Sequence, residues 1–109
     1  MFDNLFGNTT VSKLLLFIAR FGEGYPSQIA RNFDITVSMV QQQLDRLETG
    51  GILVSQLKGK TRMYTMSPRY PFKKELLALL HKGLDSIPKK EIDVYYSKRM
   101  RPRRRKKPL

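Results

Sequence analysis

The sequence predicts a mainly α-helical domain that carries one small β-hairpin. Three observations point there. Four segments repeat apolar residues at helical spacing, the first with Val11, Leu14, Leu15 and Ile18 at i, i+3, i+4 and i+7. Two runs rich in strand-favouring residues, Ile52 to Leu57 and Arg62 to Met66, flank Lys58-Gly59-Lys60-Thr61, which reads as a hairpin loop. The chain has 109 residues, 40% of them hydrophobic, which suffices for one small core and is too short for two ordinary domains.

Each element has its own signals. Thr9-Thr10 offers hydroxyls to cap the first helix, and Gly22 and Gly24 end it. Leu16, Phe17 and Ala19 make that helix apolar nearly all round, so one core is not expected to cover every face. A second buried surface is implied, and self-association would also hide Phe2, Leu5 and Phe6 just upstream. Pro26 suits the first turn of a short second helix, where its missing N–H costs nothing, and Ile29, Ala30 and Phe33 form the inner face. Thr36 is placed as N-cap of a third helix running to about Thr49, with Ile35 positioned to staple onto Val40. Its inward stripe is Val40, Leu44 and Leu47, while Val37, Ser38, Gln41, Gln42 and Asp45 fall opposite. Gly50-Gly51 stops it. After Pro68 and Pro71, Phe72 to Lys82 gives a fourth helix with Leu76, Leu77, Leu79 and Leu80, ended by Gly83. Past Pro88, the residues Ile92, Val94, Tyr95 and Tyr96 fit either a short strand or a short helix.

The charge is strongly uneven. The chain carries 21 Lys plus Arg against 9 Asp plus Glu, a formal +12. Eight of the basic groups fall within residues 98–107, where no acid occurs, so residues 1–97 stand near +4. The expected organisation is a domain over residues 1–86 followed by a basic tail over 87–109 that builds no core. Such a field favours polyanions, either nucleic acid or an anionic membrane surface.

Several function classes drop out. With no cysteine there is no disulfide, zinc–thiolate site or thiolate nucleophile. The strongly apolar run Leu14 to Ala19 is far below the roughly 20 residues that span a bilayer. Met1 to Thr10 has no secretory pattern, so the expected location is the cytoplasm. Gly22-Glu23-Gly24 lacks the sequel of a phosphate loop and reads as a turn. One histidine, His81, pairs with no nucleophile and is expected as a surface residue near the end of the fourth helix. An enzyme is not expected, nor any cofactor or metal.

The order of two helices joined by a tight turn, then a basic hairpin, resembles a winged helix-turn-helix. The residues Ile29-Ala30-Arg31, Ile35-Thr36, Val40 to Leu44, Arg46-Leu47-Glu48, Gly51-Ile52-Leu53 and Arg62-Met63-Tyr64 resemble ArsR- and MarR-type transcription regulators over roughly residues 5–82. The resemblance implies a third helix in the DNA major groove and a wing on the neighbouring backbone or minor groove. Carried over, Thr36, Val37, Ser38, Gln41 and Gln42 occupy reading positions. A Gln amide can pair bidentately with adenine, a Val methyl can touch a thymine methyl, and a hydroxyl can hold phosphate. Lys58, Lys60 and Arg62, at alternate positions and read as sharing one side of a strand, are expected on phosphates. Arg46 is expected on phosphate or paired with Asp45 or Glu48. Arg101, Arg103, Arg104 and Arg105, with the rest of the tail, are expected to clamp DNA without reading sequence. Asp34 stands in the turn where such families often carry Gly, and tolerates a left-handed backbone better than most residues. The family's metal sensing finds no ligand cluster here.

The expected partners are therefore double-stranded DNA and a second copy of the chain, with no particular small-molecule effector indicated. The competing readings are a winged-helix protein-interaction module and a general nucleic-acid or RNA binder driven by the tail. A row of glutamines is also what a plain solvated helix face carries, and charges on a ribbon also guard its edge.

Overall fold

The computed structural model describes residues 1–97, and eight elements follow one another along them. These are α1 (Asp3–Phe6), α2 (Thr9–Phe21), α3 (Pro26–Phe33), α4 (Val37–Thr49), β1 (Leu53–Lys58), β2 (Thr61–Met66), α5 (Lys73–Ser86) and α6 (Lys89–Tyr95). No described helix is long and apolar enough to cross a membrane. The mainly α fold with one two-stranded antiparallel hairpin is the one the sequence predicts.

The core is built around α2. Its N-cap is Asn8, whose side-chain oxygen accepts the Val11 N–H at 3.1 Å, one residue before the expected threonines. Thr10 is instead buried on the helix. Leu14, Leu15, Leu16, Phe17 and Ile18 are all buried, although the periodicity implied an uncovered face. The expectation fails because α1, α3, α4, α5 and β2 all pack on this one helix, so the chain covers every side of it. Leftover surface on α2 therefore gives no reason for a dimer.

Two further boundaries move. Gly83 does not end the fourth helix, because α5 runs through it to Ser86. A Cβ at Gly83 would lie 2.6 Å from Cε2 of Phe2 and 2.9 Å from Sδ of Met1, so the glycine is there to let the N-terminal segment dock. Phe2 is thereby buried and Phe6 half-buried, while Leu5 stays 65% exposed. The folded unit also extends past residue 86. Ile87 and Tyr96 are buried, Tyr95 stacks on Phe33 with ring centroids 5.4 Å apart, and the Asn32 amide donates to the Tyr95 carbonyl at 3.0 Å. His81 is exposed, yet a ring nitrogen lies 3.1 Å from the Ala19 carbonyl, tying α5 to the last turn of α2.

The hairpin is tighter than expected. Lys58 pairs with Thr61, leaving Gly59-Lys60 as a two-residue turn, and Gly59 has φ 65°, the left-handed region that such turns require. Tyr64 anchors the ribbon from the other side. It exchanges two backbone hydrogen bonds with Gly24, at 2.9 and 3.0 Å, so the segment before α3 joins the ribbon edge.

Candidate nucleic-acid interface

The α3–α4 corner is set by local chemistry. Asp34 caps α3 at φ 57° and ψ 50°, the only non-glycine with positive φ among the described residues, and the Ile35 N–H reaches back to the Ala30 carbonyl at 3.0 Å. Two residues on, Thr36 accepts the Met39 N–H at 3.2 Å and so starts α4 as its N-cap. Val40, Leu44 and Leu47 are the buried residues of α4, the stripe the sequence predicts. The opposite side carries Thr36, Val37, Ser38 and Gln42, all exposed, together with Met39, which a count of polar and small groups alone passes over.

Not every expected reader stands free. Gln42 is exposed, and among the described residues its amide has no hydrogen-bond partner. Gln41 is half-buried: its amide nitrogen donates to the Tyr64 hydroxyl and to Asp45 Oδ1, each at 2.9 Å. Arg46 pairs with neither Asp45 nor Glu48 but donates to the side-chain Oε1 of Gln43 at 3.2 Å. Tyr64 reaches this surface from β2, its ring buried at 1% exposure and its hydroxyl directed at α4. Burial pushes its phenol above the ordinary range; the charges of Asp45 and Glu48 add to the rise, while the Gln41 hydrogen bond and Arg62 oppose it.

The wing carries three exposed cations that do not share one side. Lys58 pairs with Thr61 and Arg62 with Leu57, so Lys58 and Arg62 lie on opposite faces of the ribbon, with Lys60 in the turn between them. This corrects the expectation from alternate spacing, which the two-residue turn invalidates. Arg62 donates to Ser55 Oγ at 3.1 Å, and Ser55 donates to Glu48 Oε2 at 2.6 Å, a relay from the wing to the last turn of α4. Beside Arg62, Leu57 is 60% exposed. The one ion pair among the described residues joins the terminal ammonium to Asp3, so the cations of α4 and the wing lack a carboxylate partner there. Arg101, Arg103, Arg104 and Arg105 lie outside the described residues.

A helix-turn-helix corner, a second helix with an exposed polar row and a cation-bearing hairpin define a winged helix-turn-helix protein. No protein-family model matches the chain, and no curated protein matches it in sequence. Solved structures do. The antimony-specific transcriptional repressor AntR matches at TM-score 0.62 and 26% identity, over 81% of this chain and 75% of that one. YusO of Bacillus subtilis matches at TM-score 0.55 and 18% identity, over 78% and 66% of the two chains. Sco5413, a MarR family transcriptional regulator from Streptomyces coelicolor, matches at TM-score 0.50 and 19% identity, over 83% and 69%. The fold implied by the resemblance in sequence is the fold found. Among the described residues no group of three or more His, Cys, Asp or Glu could hold a metal ion.

Proposed function

We propose that the chain is a sequence-specific regulator of transcription that binds double-stranded DNA as a homodimer, with α4 in the major groove and the wing on the backbone or minor groove. The observation that carries this is the exposed row Thr36, Val37, Ser38 and Gln42 at the start of α4, flanked by cations without carboxylate partners. Gln42 offers an unpaired amide to adenine N6 and N7, Val37 a methyl to thymine, and Thr36, Lys58, Lys60 and Arg62 position phosphates. Binding is the whole activity in this reading, which assigns no reaction.

The second copy is supported by a stripe on α5. Phe72, Leu76, Leu79 and Gly83 fall on one flank, and Phe72 and Leu79 are exposed. Residues 98–109 serve as a sequence-independent clamp, since their charge suits phosphates. Selection of bound duplexes from random DNA at stated salt tests the whole reading: an enriched motif with two half-sites supports it, and the absence of any motif overturns it. Deleting residues 98–109 is expected to flatten the salt dependence, by roughly 3–4 in log–log slope if four phosphates are lost, with the motif unchanged. Exposed Val37, Met39 and Leu57 favour a second reading, a winged-helix protein-docking module, which the same selection excludes if a motif emerges.

A further inference from the structure

Gln41 and Gln42 are adjacent and chemically identical, yet their amides are not equally available. Asp45, one turn along α4 from Gln41, accepts the Gln41 amide nitrogen at 2.9 Å. A carboxylate only accepts, so the NH2 end of the amide must face it. The same nitrogen donates to the Tyr64 hydroxyl at 2.9 Å, and that hydroxyl points on to Asp45 Oδ1 at 3.5 Å. Both amide hydrogens are therefore occupied, and Gln41 keeps only its carbonyl oxygen. A tyrosine phenol is protonated at neutral pH, and burial pushes the Tyr64 phenol further in that direction.

Bidentate recognition of adenine needs an amide hydrogen for N7 and the amide oxygen for the N6 amino group. Gln42 can supply both; Gln41 cannot. An oxygen alone accepts equally from the amino group of adenine or of cytosine, the two bases that present a donor in the major groove. We infer that Tyr64 and Asp45 are positioning residues that set the specificity of Gln41, restricting it to its carbonyl oxygen so that it reads an amino-bearing base, adenine or cytosine, where an unheld glutamine would read adenine. The inference rests on α4 being the reading helix, and it makes the wing strand a determinant of sequence preference without any contact of its own to a base.

The test is selection from random duplex DNA with the full chain, in the natural sequence and as Tyr64→Phe and Asp45→Ala. Tyr64→Phe keeps the buried ring and removes the hydroxyl. Asp45→Ala frees the second hydrogen from an exposed position, so it serves even if the first variant disturbs the core. The natural chain is expected to accept adenine and cytosine about equally at one motif position. In both variants that position is expected to favour adenine roughly tenfold, while the adenine read by Gln42 stays unchanged. A mere loosening of the fold would weaken every position together. A motif identical in all three proteins overturns the inference and leaves the DNA-binding reading standing. Folded variants that lose the whole motif overturn it as well, since the trio would then be part of docking. A natural chain that selects no motif overturns both.

Discussion

α2 and α4 are both helices of 13 residues, and they spend their side chains in opposite ways. α2 buries eight residues on every side and is the post around which the domain is packed; α4 buries only Val40, Leu44 and Leu47, half-buries Gln41, Gln43 and Glu48, and leaves the rest exposed. The difference separates two tasks. A helix enclosed by five neighbours is fixed in position, and a helix held by one stripe against that fixed body can present a full face without weakening the core.

Truncating one side chain on each helix separates the two most directly. Phe17→Ala in α2 is expected to cost about 3–5 kcal/mol in urea unfolding, because it empties a site fully enclosed by the chain. Ser38→Ala on the outer face of α4 is expected to stay within about 0.5 kcal/mol. Equal costs would mean that the outer face of α4 is bound into the core as firmly as α2.

Gly83 sharpens the same point where α5 meets the N-terminal segment. In an open helix, replacing glycine by alanine gains up to about 1 kcal/mol. Here the new Cβ would lie 2.6 Å from a Phe2 ring carbon, so Gly83→Ala is expected to cost about 1–3 kcal/mol in the same assay. With Phe2→Ala already present the cost is expected to shrink to what Met1 Sδ, 2.9 Å from the same Cβ, still imposes, and an undiminished cost would remove Phe2 from the docking explanation.

On the outer face, Gln42→Ala is expected to lose about 1–3 kcal/mol of affinity for the selected site by titration, with unfolding unchanged. The smallest effect belongs to the wing. Lys60→Ala is expected to weaken all duplexes alike and to lower the log–log salt slope by about 0.9, because one phosphate contact is lost. A change in sequence preference would show that Lys60 reaches a base.

The parts legible in the sequence were those governed by near neighbours. The stripe Val40, Leu44 and Leu47, proline at the start of α3, and the Thr36 cap all act within one or two turns, so residue spacing reveals them. What stayed hidden depends on residues far apart in the chain. Nothing beside Gly83 announces that Phe2 will sit on it, and nothing beside Gln41 announces Tyr64, which lies across the hairpin. The enclosure of α2 is of the same kind, since periodicity counts apolar faces but not the elements that arrive to cover them. Of the candidate site, the exposed row on α4 could be read in advance. Which glutamine is free could not.

The contact of Phe2 with Gly83 joins the N-terminal segment to the last turns of α5, far along the chain. Closing a loop of that length is entropically slow to repay, so α1 is expected to settle only after α2 and α5 have formed and packed. The order runs in reverse on opening. The N-terminal turn is then expected to leave first, baring α5 at Gly83. During synthesis Phe2 is made long before its seat at Gly83, so that contact waits until α5 has been made.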